Sequence, residues 1–542
     1  MVKKFVADLK TEFSGYNGAR LLKDAMAGLP VCAVALPLAL AFGVSSGATA
    51  AAGMVTAILA GIIIGILSGA SFQISGPTGA MSAVLIAIVA QYGIQGMFVA
   101  SFISGIILLI AGIFKLGRLI SFIPSPVIMG FTSGIAVVIA MGQIDNFFGT
   151  TSEGLSNVEK LLSYFKLGFR PDWQSVLIGA LVIVIMLVWP KKWNAKVPSS
   201  LVSIIIATIV SVVFKMEGLV LVGEIPQTLF LSERLSLTDI DFSMIKGLVS
   251  PIVTIAALGM IESLMCGASA SRMKNESFDA DRELVAQGIG NVVIPFFGGV
   301  PATAAIARSS VAIKSGQQTR LTGVFHSVFL LAAMFLLGPV MAKLPLCALA
   351  GVLMMTAWRM NEWDEIKYIF RHKFKAAISQ FLITLVATVV FDLMVAIIIG
   401  VVYSAILFVV ASSKINVSFS RFDREKYKGE CLGDNVEETA IAYVTGSDFF
   451  GAVDKFDEQF EQLPACKTAI ISMKGVSTID VSGAKAVMEL CEKLEKENVE
   501  VKFCGLKENI RTYFERAGIV ELVGENNFYT TIDKAIEGIV AE

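Results

Sequence analysis

A series of long apolar stretches between about residues 26 and 411 constrains this chain more than any other feature of its sequence. Most of these stretches have about 17–25 residues, which is the length a helix needs to cross a bilayer. The chain is 55% hydrophobic and 16% charged, and its mean hydropathy is +0.73. Because lipid offers no hydrogen bonds to the backbone, stretches of this length predict a polytopic α-helical membrane protein.

The apolar pattern predicts about fourteen membrane segments in two sets of seven. They lie near 28–46, 49–68, 77–91, 95–115, 120–142, 174–190 and 198–215, and near 248–270, 282–297, 302–314, 321–342, 345–359, 375–391 and 393–411. Because seven is odd, the second set crosses the membrane in the opposite direction to the first. This inverted-repeat layout is typical of secondary transporters.

The basic residues of the loops predict the orientation of the chain. With the N-terminus inside, the predicted inside loops carry Lys115, Arg118, Lys191, Lys192, Lys196, Arg272, Lys274, Lys314, Arg320, Lys367, Arg371 and Lys373. This asymmetry predicts a multi-pass protein of the cytoplasmic membrane with both termini in the cytoplasm. The formal net charge of -1 gives no indication of nucleic-acid binding.

Composition divides the chain into four parts. Residues 1–25 read as a cytoplasmic N-terminal segment, 26–411 as the transmembrane domain, 412–436 as a linker and 437–542 as a soluble domain. In the last part, short apolar runs alternate with amphipathic stretches, which predicts an α/β domain.

Two apolar stretches are interrupted by proline at corresponding places of the two sets. Pro77 lies in "SFQISGPTGAMSAVL" and Pro301 in "FFGGVPATAAIARSSVAI". Since proline favours the first helical position, each interruption predicts an extended segment followed by a half-helix that starts near the midplane. The amides expected to be free at these two starts belong to Thr78, Gly79 and Ala80, and to Ala302, Thr303 and Ala304.

Two facing helix N-termini would form a pocket rich in hydrogen-bond donors that suits an anion. The alternative is that proline and glycine only kink two packed helices. The matched positions, each with a threonine close behind the proline, favour the binding site.

Two ionisable residues fall well inside predicted spans. Glu262 lies in "GMIESLMCGASA", where a charged carboxylate costs on the order of 2–3 kcal/mol or more, so we expect a functional role. The alternative is a permanently protonated structural residue. Arg308 lies in the tenth span and either aims at the pocket as a counter-charge or extends towards the cytoplasm with Lys314.

Four motifs together resemble the SulP anion permeases: "ALPLALAFGVSSG", "ISGPTGAMSAVL", "GMIESLMCGASA" and "FFGGVPATAAIARS". The resemblance covers nearly the whole chain. It implies two inverted seven-segment repeats, a uracil-permease-like core domain that carries substrate against a gate domain, and a homodimer in the lipid bilayer. The substrate positions that it implies are Leu38, Phe42, Thr78 and residues 303–308, which include Thr303 and Arg308.

The resemblance also bears on the coupling ion. Sodium-coupled bicarbonate members carry Asp in the eighth segment and Thr one turn later, whereas this chain has Glu262 and Cys266. A thiol is a poor ligand for a hard cation, which argues against sodium. The "IESL" form resembles proton-coupled dicarboxylate transporters. The hypothesis is therefore an anion importer in which Glu262 carries the proton.

The soluble part contains "STIDVSGAKAV", which resembles the loop of STAS domains. Ser482 matches the serine that is phosphorylated in the anti-sigma antagonists of that group, and a phosphate at a helix start would be favourable. The alternative is that Ser482 only caps the helix. The resemblance also suggests a cytosolic partner for this domain.

Several functions stay open at this point. Dicarboxylate uptake comes first, bicarbonate or sulfate transport and a passive anion channel are alternatives, and a membrane-anchored STAS signalling protein is less favoured. With His326 and His372 as the two histidines, the sequence predicts no His-based catalytic triad and no His-rich metal site. We therefore expect no enzyme, metal or cofactor.

Overall fold

A computed structural model describes residues 2–118, 123–154, 157–190, 193, 197–236, 242–391, 393–421 and 438–541. The predicted inside residues Lys191, Lys192 and Lys196, and most of the predicted linker 412–436, lie outside the described residues. The chain divides into two compact units, Met1–Val401 and Val402–Glu542.

The first unit is helical. Its first half contains α1 (Val2–Glu12), α2 (Gly18–Ser45), α3 (Ala50–Leu67), the short strand β1 (Ser75–Gly76), α4 (Gly79–Ile113), α5 (Ser125–Gly142), α6 (Ile144–Phe148), α7 (Asn157–Leu167), α8 (Trp173–Val188) and α9 (Ser199–Val213). Its second half contains α10 (Phe242–Lys274), α11 (Ala280–Val293), the short strand β2 (Thr303–Ala304), α12 (Ile306–Lys314), α13 (Leu321–Met341), α14 (Leu346–Met360), α15 (Trp363–Arg371) and α16 (Lys375–Val390). The last membrane helix, α17 (Leu393–Ser412), continues into the second unit.

The helix lengths agree with a polytopic membrane protein. Within the described residues, 7 helices are long and apolar enough to cross a membrane, and α8, α9, α14 and α16 are shorter apolar helices. The predicted third and fourth spans are the two arms of α4, which bends at Gly93, where φ is 72° and ψ is 178°. A positive φ of this size favours glycine, because other residues would be strained there.

The two proline-containing segments cross each other in the middle of the first unit. β1 and β2 pair antiparallel, with Ser75 opposite Ala304 and Gly76 opposite Thr303. Next to them, the Ala305 amide donates to the Ile74 carbonyl at 2.9 Å. These bonds supply partners for backbone groups that a helix would otherwise satisfy, which makes extended chain tolerable at this depth.

The predicted start of the first half-helix is wrong by two residues. Pro77 precedes the helix, α4 begins at Gly79, and Thr78 is its N-cap. The Met81 amide donates to Thr78 Oγ1 at 3.4 Å. The cap takes this position because the residues just before Pro77 belong to β1, so the chain turns into the helix only after the proline.

The predicted start of the second half-helix is also wrong, because α12 begins at Ile306. Neither Ala302 nor Ala304 has a free amide, contrary to the prediction. The Ala302 amide donates to Asn291 Oδ1 at 2.7 Å, and the Ala304 amide donates to Ser263 Oγ at 3.3 Å. Strand pairing with β1 holds these residues extended, and the helix therefore starts later.

Close packing of α11 against α4 places the ninth segment behind the crossing strands. A Cβ added at Gly105 of α4 would lie 2.7 Å from the Val292 amide nitrogen, and one at Gly112 would lie 2.6 Å from the Asp281 carbonyl oxygen. Glycine at these positions lets the two helices approach backbone to backbone, as small residues do in membrane proteins.

The second unit is an α/β domain, as predicted. Its sheet has the order β3-β4-β5-β6-β7, formed by β3 (Asn416–Arg421), β4 (Thr439–Asp448), β5 (Thr468–Ile479), β6 (Glu500–Cys504) and β7 (Phe528–Tyr529). Strand β3 is antiparallel to β4, and the other neighbours are parallel. The helices are α18 (Val453–Phe460), α19 (Val481–Lys496), α20 (Glu508–Arg516), α21 (Ile519–Val523) and α22 (Ile532–Ala541).

Candidate functional site

A cavity of about 830 Å³, here called the central cavity, lies at the ends of the crossing strands. Most of the predicted substrate residues line it, namely Leu38, Phe42, Thr78, Gly79, Ala304 and Arg308, together with Glu262. Ala302 and Thr303 are fully buried behind this wall and do not line the cavity. The structure therefore gathers residues from α2, α4, α10 and α12, which are far apart in the sequence.

The carboxylate of Glu262 lies between the two predicted threonines. Thr78 Oγ1 donates to Glu262 Oε2 at 2.8 Å, and Thr303 Oγ1 donates to the same oxygen at 2.6 Å. The two hydroxyl oxygens are 3.1 Å apart. Both threonine hydroxyls therefore converge on a carboxylate of the protein itself.

The side chain of Arg308 points into the core and not towards the cytoplasm. It is 1% exposed, and its Nη2 donates to the Pro77 carbonyl oxygen at 2.6 Å. Its Nη1 has no hydrogen-bond partner among the described residues. A Cβ added at Gly76 would collide with Nη1, so glycine at this position leaves room for the guanidinium. Arg308 thus brings an unused donor and a positive charge to the wall of the cavity.

An apolar wall faces the charged groups. Leu38 and Phe42 of α2 lie across from Phe131, Ile135 and Ile139 of α5. A Cβ added at Gly79 would lie 2.5 Å from Ile139 Cδ1 and 3.0 Å from Phe42 Cε1. Glycine at this position therefore lets the start of α4 approach these two side chains closely.

The opposite end of the cavity is charged. It is lined there by Arg272 at the end of α10, Arg359 at the end of α14, and Glu362, Asp364 and Glu365 around the start of α15. Arg272 is one of the residues that the loop charges predict to be cytoplasmic. The cavity therefore reaches from the crossing strands to the end of the helices that is predicted to face the cytoplasm.

A polar row on α11, which the sequence analysis missed, holds both crossing strands. Glu283, Gln287 and Asn291 are each at most 1% exposed. Gln287 Nε2 donates to Glu283 Oε1 and to Ser75 Oγ, both at 2.8 Å. Asn291 Nδ2 donates to the Ala302 carbonyl at 2.9 Å, while its Oδ1 accepts from the Ala302 amide. The signal was a polar residue at every fourth position from Glu283 to Asn291, with apolar residues and glycine between them.

The residue one turn after Glu262 does not face the cavity. Cys266 is fully buried, and its Sγ lies 3.5 Å from Ser309 Oγ. Ser309 in turn accepts a hydrogen bond from the Ile74 amide at 2.9 Å. This position therefore supports the backbone next to the crossing strands and offers no oxygen to a cation.

In the second unit, the structure contradicts the alternative that Ser482 caps the helix that follows it. The N-cap of α19 is Asp480, whose Oδ1 accepts from the Gly483 amide at 2.9 Å. Ser482 lies in the first turn of the helix and is exposed, so the prediction that it caps the helix is wrong. Asp480, and not Ser482, has the extended backbone conformation that an N-cap residue requires.

Next to this loop lies a buried carboxylate at the end of β4. Asp448 is fully buried, and neither of its carboxylate oxygens has a hydrogen-bond partner within the described part of the chain. Burial, reinforced by the nearby Asp480 and Asp457 carboxylates, raises the pKa of Asp448 to about 7.

Comparisons with known proteins agree with this architecture. The sequence profile of the sulfate permease family matches residues 21–387, and that of the STAS domain matches residues 434–535. The putative sulfate transporter YvdB of Bacillus subtilis is 32% identical over 537 residues, which cover 96% of this chain and 98% of that protein.

Two solved structures share the fold. The transmembrane domain of the cyanobacterial bicarbonate transporter BicA is 27% identical, with a TM-score of 0.65 over 70% of this chain and 98% of that one. The murine Solute Carrier 26 family member A9 anion transporter in the inward-facing state is 17% identical, with a TM-score of 0.82 over 96% of this chain and 92% of that one. The profile match and the relative at 32% identity together establish that the chain belongs to the sulfate permease family of multi-pass membrane transporters and carries a C-terminal STAS domain.

Proposed function

We propose that this protein imports a small anion, with a dicarboxylate as the first candidate, together with a proton carried by Glu262. The observation that carries the proposal is the position of Glu262 Oε2, which accepts hydrogen bonds from both Thr78 and Thr303 inside the central cavity. This carboxylate lies where the sequence pattern predicts the substrate anion.

The geometry suggests how the two ions are coupled. When Glu262 is ionised, its negative charge opposes a second anion beside the same threonines. Protonation removes that charge and leaves the hydroxyls, Arg308 and the helix starts available to the substrate. Anion and proton would then enter the site together and leave it together, which is the requirement for symport.

A comparison of charges favours a role for Arg308. A helix N-terminus contributes roughly 0.3–1 kcal/mol to binding an anion, or about 2 kcal/mol in a partly buried site. Two such starts suit a single negative charge, whereas a dicarboxylate needs a further cation. The guanidinium of Arg308, which lines the cavity and has no hydrogen-bond partner for Nη1 among the described residues, would supply that charge. Leu38, Phe42, Gly79 and Ala304 would form the apolar and backbone surroundings of the substrate.

Sulfate or bicarbonate is the second candidate. The relatives at 32% and 27% identity carry the names of a putative sulfate transporter and a bicarbonate transporter. Both anions are small and would use the same donors. The position of Cys266, buried against Ser309, supports a proton over sodium as the coupling ion, because a thiol is a poor sodium ligand.

The remaining parts of the proposal concern assembly and regulation. We expect a homodimer in the cytoplasmic membrane, with both termini and the STAS domain in the cytoplasm. The exposed position of Ser482 in the first turn of α19 supports a site open to phosphorylation or to a cytosolic partner.

Uptake into liposomes tests the proposal. Purified protein is reconstituted and offered succinate, fumarate, sulfate, bicarbonate and chloride, with and without proton and sodium gradients. Saturable uptake that follows the proton gradient supports symport, flux without coupling indicates a channel, and no flux with any anion indicates a signalling role.

A variant pair tests the role of Glu262. In Glu262→Gln, transport should lose its dependence on the proton gradient, because the side chain can no longer bind and release a proton. Glu362→Gln, at the charged end of the same cavity, is the matched control and should keep that dependence. A Glu262→Gln protein with the full dependence of the wild type would contradict the proposal.

A further inference from the structure

A second cavity of about 420 Å³ lies in the same unit and shares no lining residue with the central cavity. Its walls come from the arm of α4 that ends near Tyr92, from Val138 of α5, from the first turns of α10 near Ser250, from the end of α16, and from Lys160 of α7. Nothing described so far assigns it a role.

The second cavity continues the line of the central cavity. Helix α4 lines the central cavity at Thr78 and the second cavity near Tyr92, and α10 lines them near Glu262 and near Ser250. On α5 the two cavities are lined by consecutive residues, Val138 on one side and Ile139 on the other. The two cavities therefore lie along the same three helices, α4, α5 and α10.

The second cavity opens at the end of the helices that is opposite the charged mouth of the central cavity. The central cavity ends at Arg272 and Arg359, on the side that the basic loops predict to be cytoplasmic. The second cavity ends at the predicted outer side, where α7 follows α5. An imported anion has to enter through this half.

Lys160 is the one charged side chain that lines the second cavity among the described residues. It is half-buried, and no described residue forms an ion pair with it. Two of the hydroxyls nearby are already used, since Thr254 donates to the Ser250 carbonyl and Tyr92 donates to the Gly247 carbonyl, both at 2.9 Å. The side chains of Gln91 and Ser250 also line the cavity but carry no charge. The ammonium group is thus the one charged partner that the described lining of this cavity offers to an anion.

From this arrangement we infer that the second cavity is the outer half of the substrate path and that Lys160 binds the incoming anion there. The inference rests on the proposed import of an anion and adds the entry site and its charged residue. Its effect is confined to one side of the membrane, because Lys160 is remote from the residues that line the cytoplasmic mouth.

Transport kinetics measured from each side test the inference. Lys160→Gln should raise the KM for external anion about threefold to tenfold and leave the maximal rate unchanged, as expected for losing one charge near the ligand. The increase should shrink as ionic strength rises. Lys166→Gln, an exposed lysine on the same helix that does not line the cavity, is the control and should match the wild type. An unchanged external KM, or an equal change for internal anion, would overturn the inference.

Labelling of an introduced cysteine tests the inference without a measurement of transport. Ser250→Cys, at the wall of the second cavity, is exposed in intact cells to membrane-impermeant methanethiosulfonates of negative and positive charge, and the chain without this cysteine corrects for native thiols. The ratio of anionic to cationic labelling rates should fall about threefold to tenfold when Lys160→Gln is added. An unchanged ratio, or no labelling from outside, contradicts the inference even if no transported anion is found. No anion uptake combined with the expected fall in the ratio contradicts the proposed function alone.

Discussion

The two half-helix starts of the transport unit have similar sequences but use their threonines differently. Thr78 caps α4 and also donates to Glu262, so the first start combines a structural and a functional bond. Thr303 belongs to β2, two residues before the cap position of α12, and α12 has no side-chain cap. The second start instead carries Arg308 in its first turn. The two starts therefore differ in how the helix is capped, and the second one supplies the positive charge.

Removing Arg308 should have the largest effect on transport. In Arg308→Ala the site loses its buried positive charge, and the loss of such a partner costs about 2–5 kcal/mol, or about 30-fold or more in kcat/KM. Uptake kinetics in liposomes measure the effect, and Arg272→Gln at the mouth of the cavity is the control. Normal uptake by Arg308→Ala would mean that the helix starts alone bind the anion.

Two members of the row on α11 distinguish the two starts, because Gln287 bonds to Ser75 of β1 and Asn291 bonds to Ala302, next to β2. Asn291→Ala leaves both backbone groups of Ala302 without their partner, and Gln287→Ala does the same to Ser75 Oγ. Each loss should cost about 1–3 kcal/mol of stability and lower uptake. Because Asn291 satisfies both an N–H and a C=O group of the buried backbone, Asn291→Ala should show the larger fall in melting temperature.

Thermal unfolding in detergent measures these stabilities, and Gln174→Ala, at an exposed position of α8, is the control. A positioning role predicts a further readout, since Gln287→Ala should change the KM and the pH profile of uptake and not only the yield of folded protein. Unchanged kinetics in the folded fraction would limit the row to stability.

Valine substitutions of Thr78 and Thr303 directly test whether the two threonines have different roles. Thr78→Val removes a helix cap as well as the bond to Glu262, so it should lower stability by about 1 kcal/mol and shift the pH profile of uptake. Thr303→Val should shift the pH profile with a smaller loss of stability. Thr78→Ser and Thr303→Ser keep the hydroxyls and should restore both properties. Equal losses of stability in the two valine variants would contradict the different roles.

The stability of the STAS domain should depend on pH through Asp448, and this dependence should not affect anion uptake. Asp448 has no hydrogen-bond donor within the described residues, and its pKa is raised to about 7 from about 3.9 in an unfolded chain. The raised pKa means that the protonated form is favoured in the fold. The contribution of Asp448 to the free energy of unfolding is therefore fully present below about pH 4. It is lost as the pH rises through the folded-state pKa of about 7, by on the order of 4 kcal/mol.

Asp448→Asn should remove this dependence. Hydrogen exchange of β4 and β5 in the full-length protein, corrected for intrinsic rates, compares pH 5.5 with pH 8, and Asp533→Asn on the exposed face of α22 is the control. Protection that falls equally in both variants would show that another group titrates.

Much of the architecture could be predicted from local patterns. The length and spacing of the apolar stretches determined a polytopic helical protein, because only helices of that length satisfy the backbone in lipid. The alternation of short apolar runs and amphipathic stretches after residue 437 determined an α/β domain. Pro77, Pro301 and Glu262 stood out because each breaks a local rule of a membrane helix.

The tertiary structure decided what these residues touch. The pairing of Ser75 with Ala304, the contact of Glu262 with Thr78 and Thr303, and the hold of Asn291 on Ala302 join parts of the fold that no local pattern relates. Strand pairing delays the helix starts past the prolines, because it binds residues that would otherwise begin the helices. The length and spacing of the apolar stretches therefore determined where the membrane segments lie. Long-range hydrogen bonds decided which carboxylate faces the two threonines.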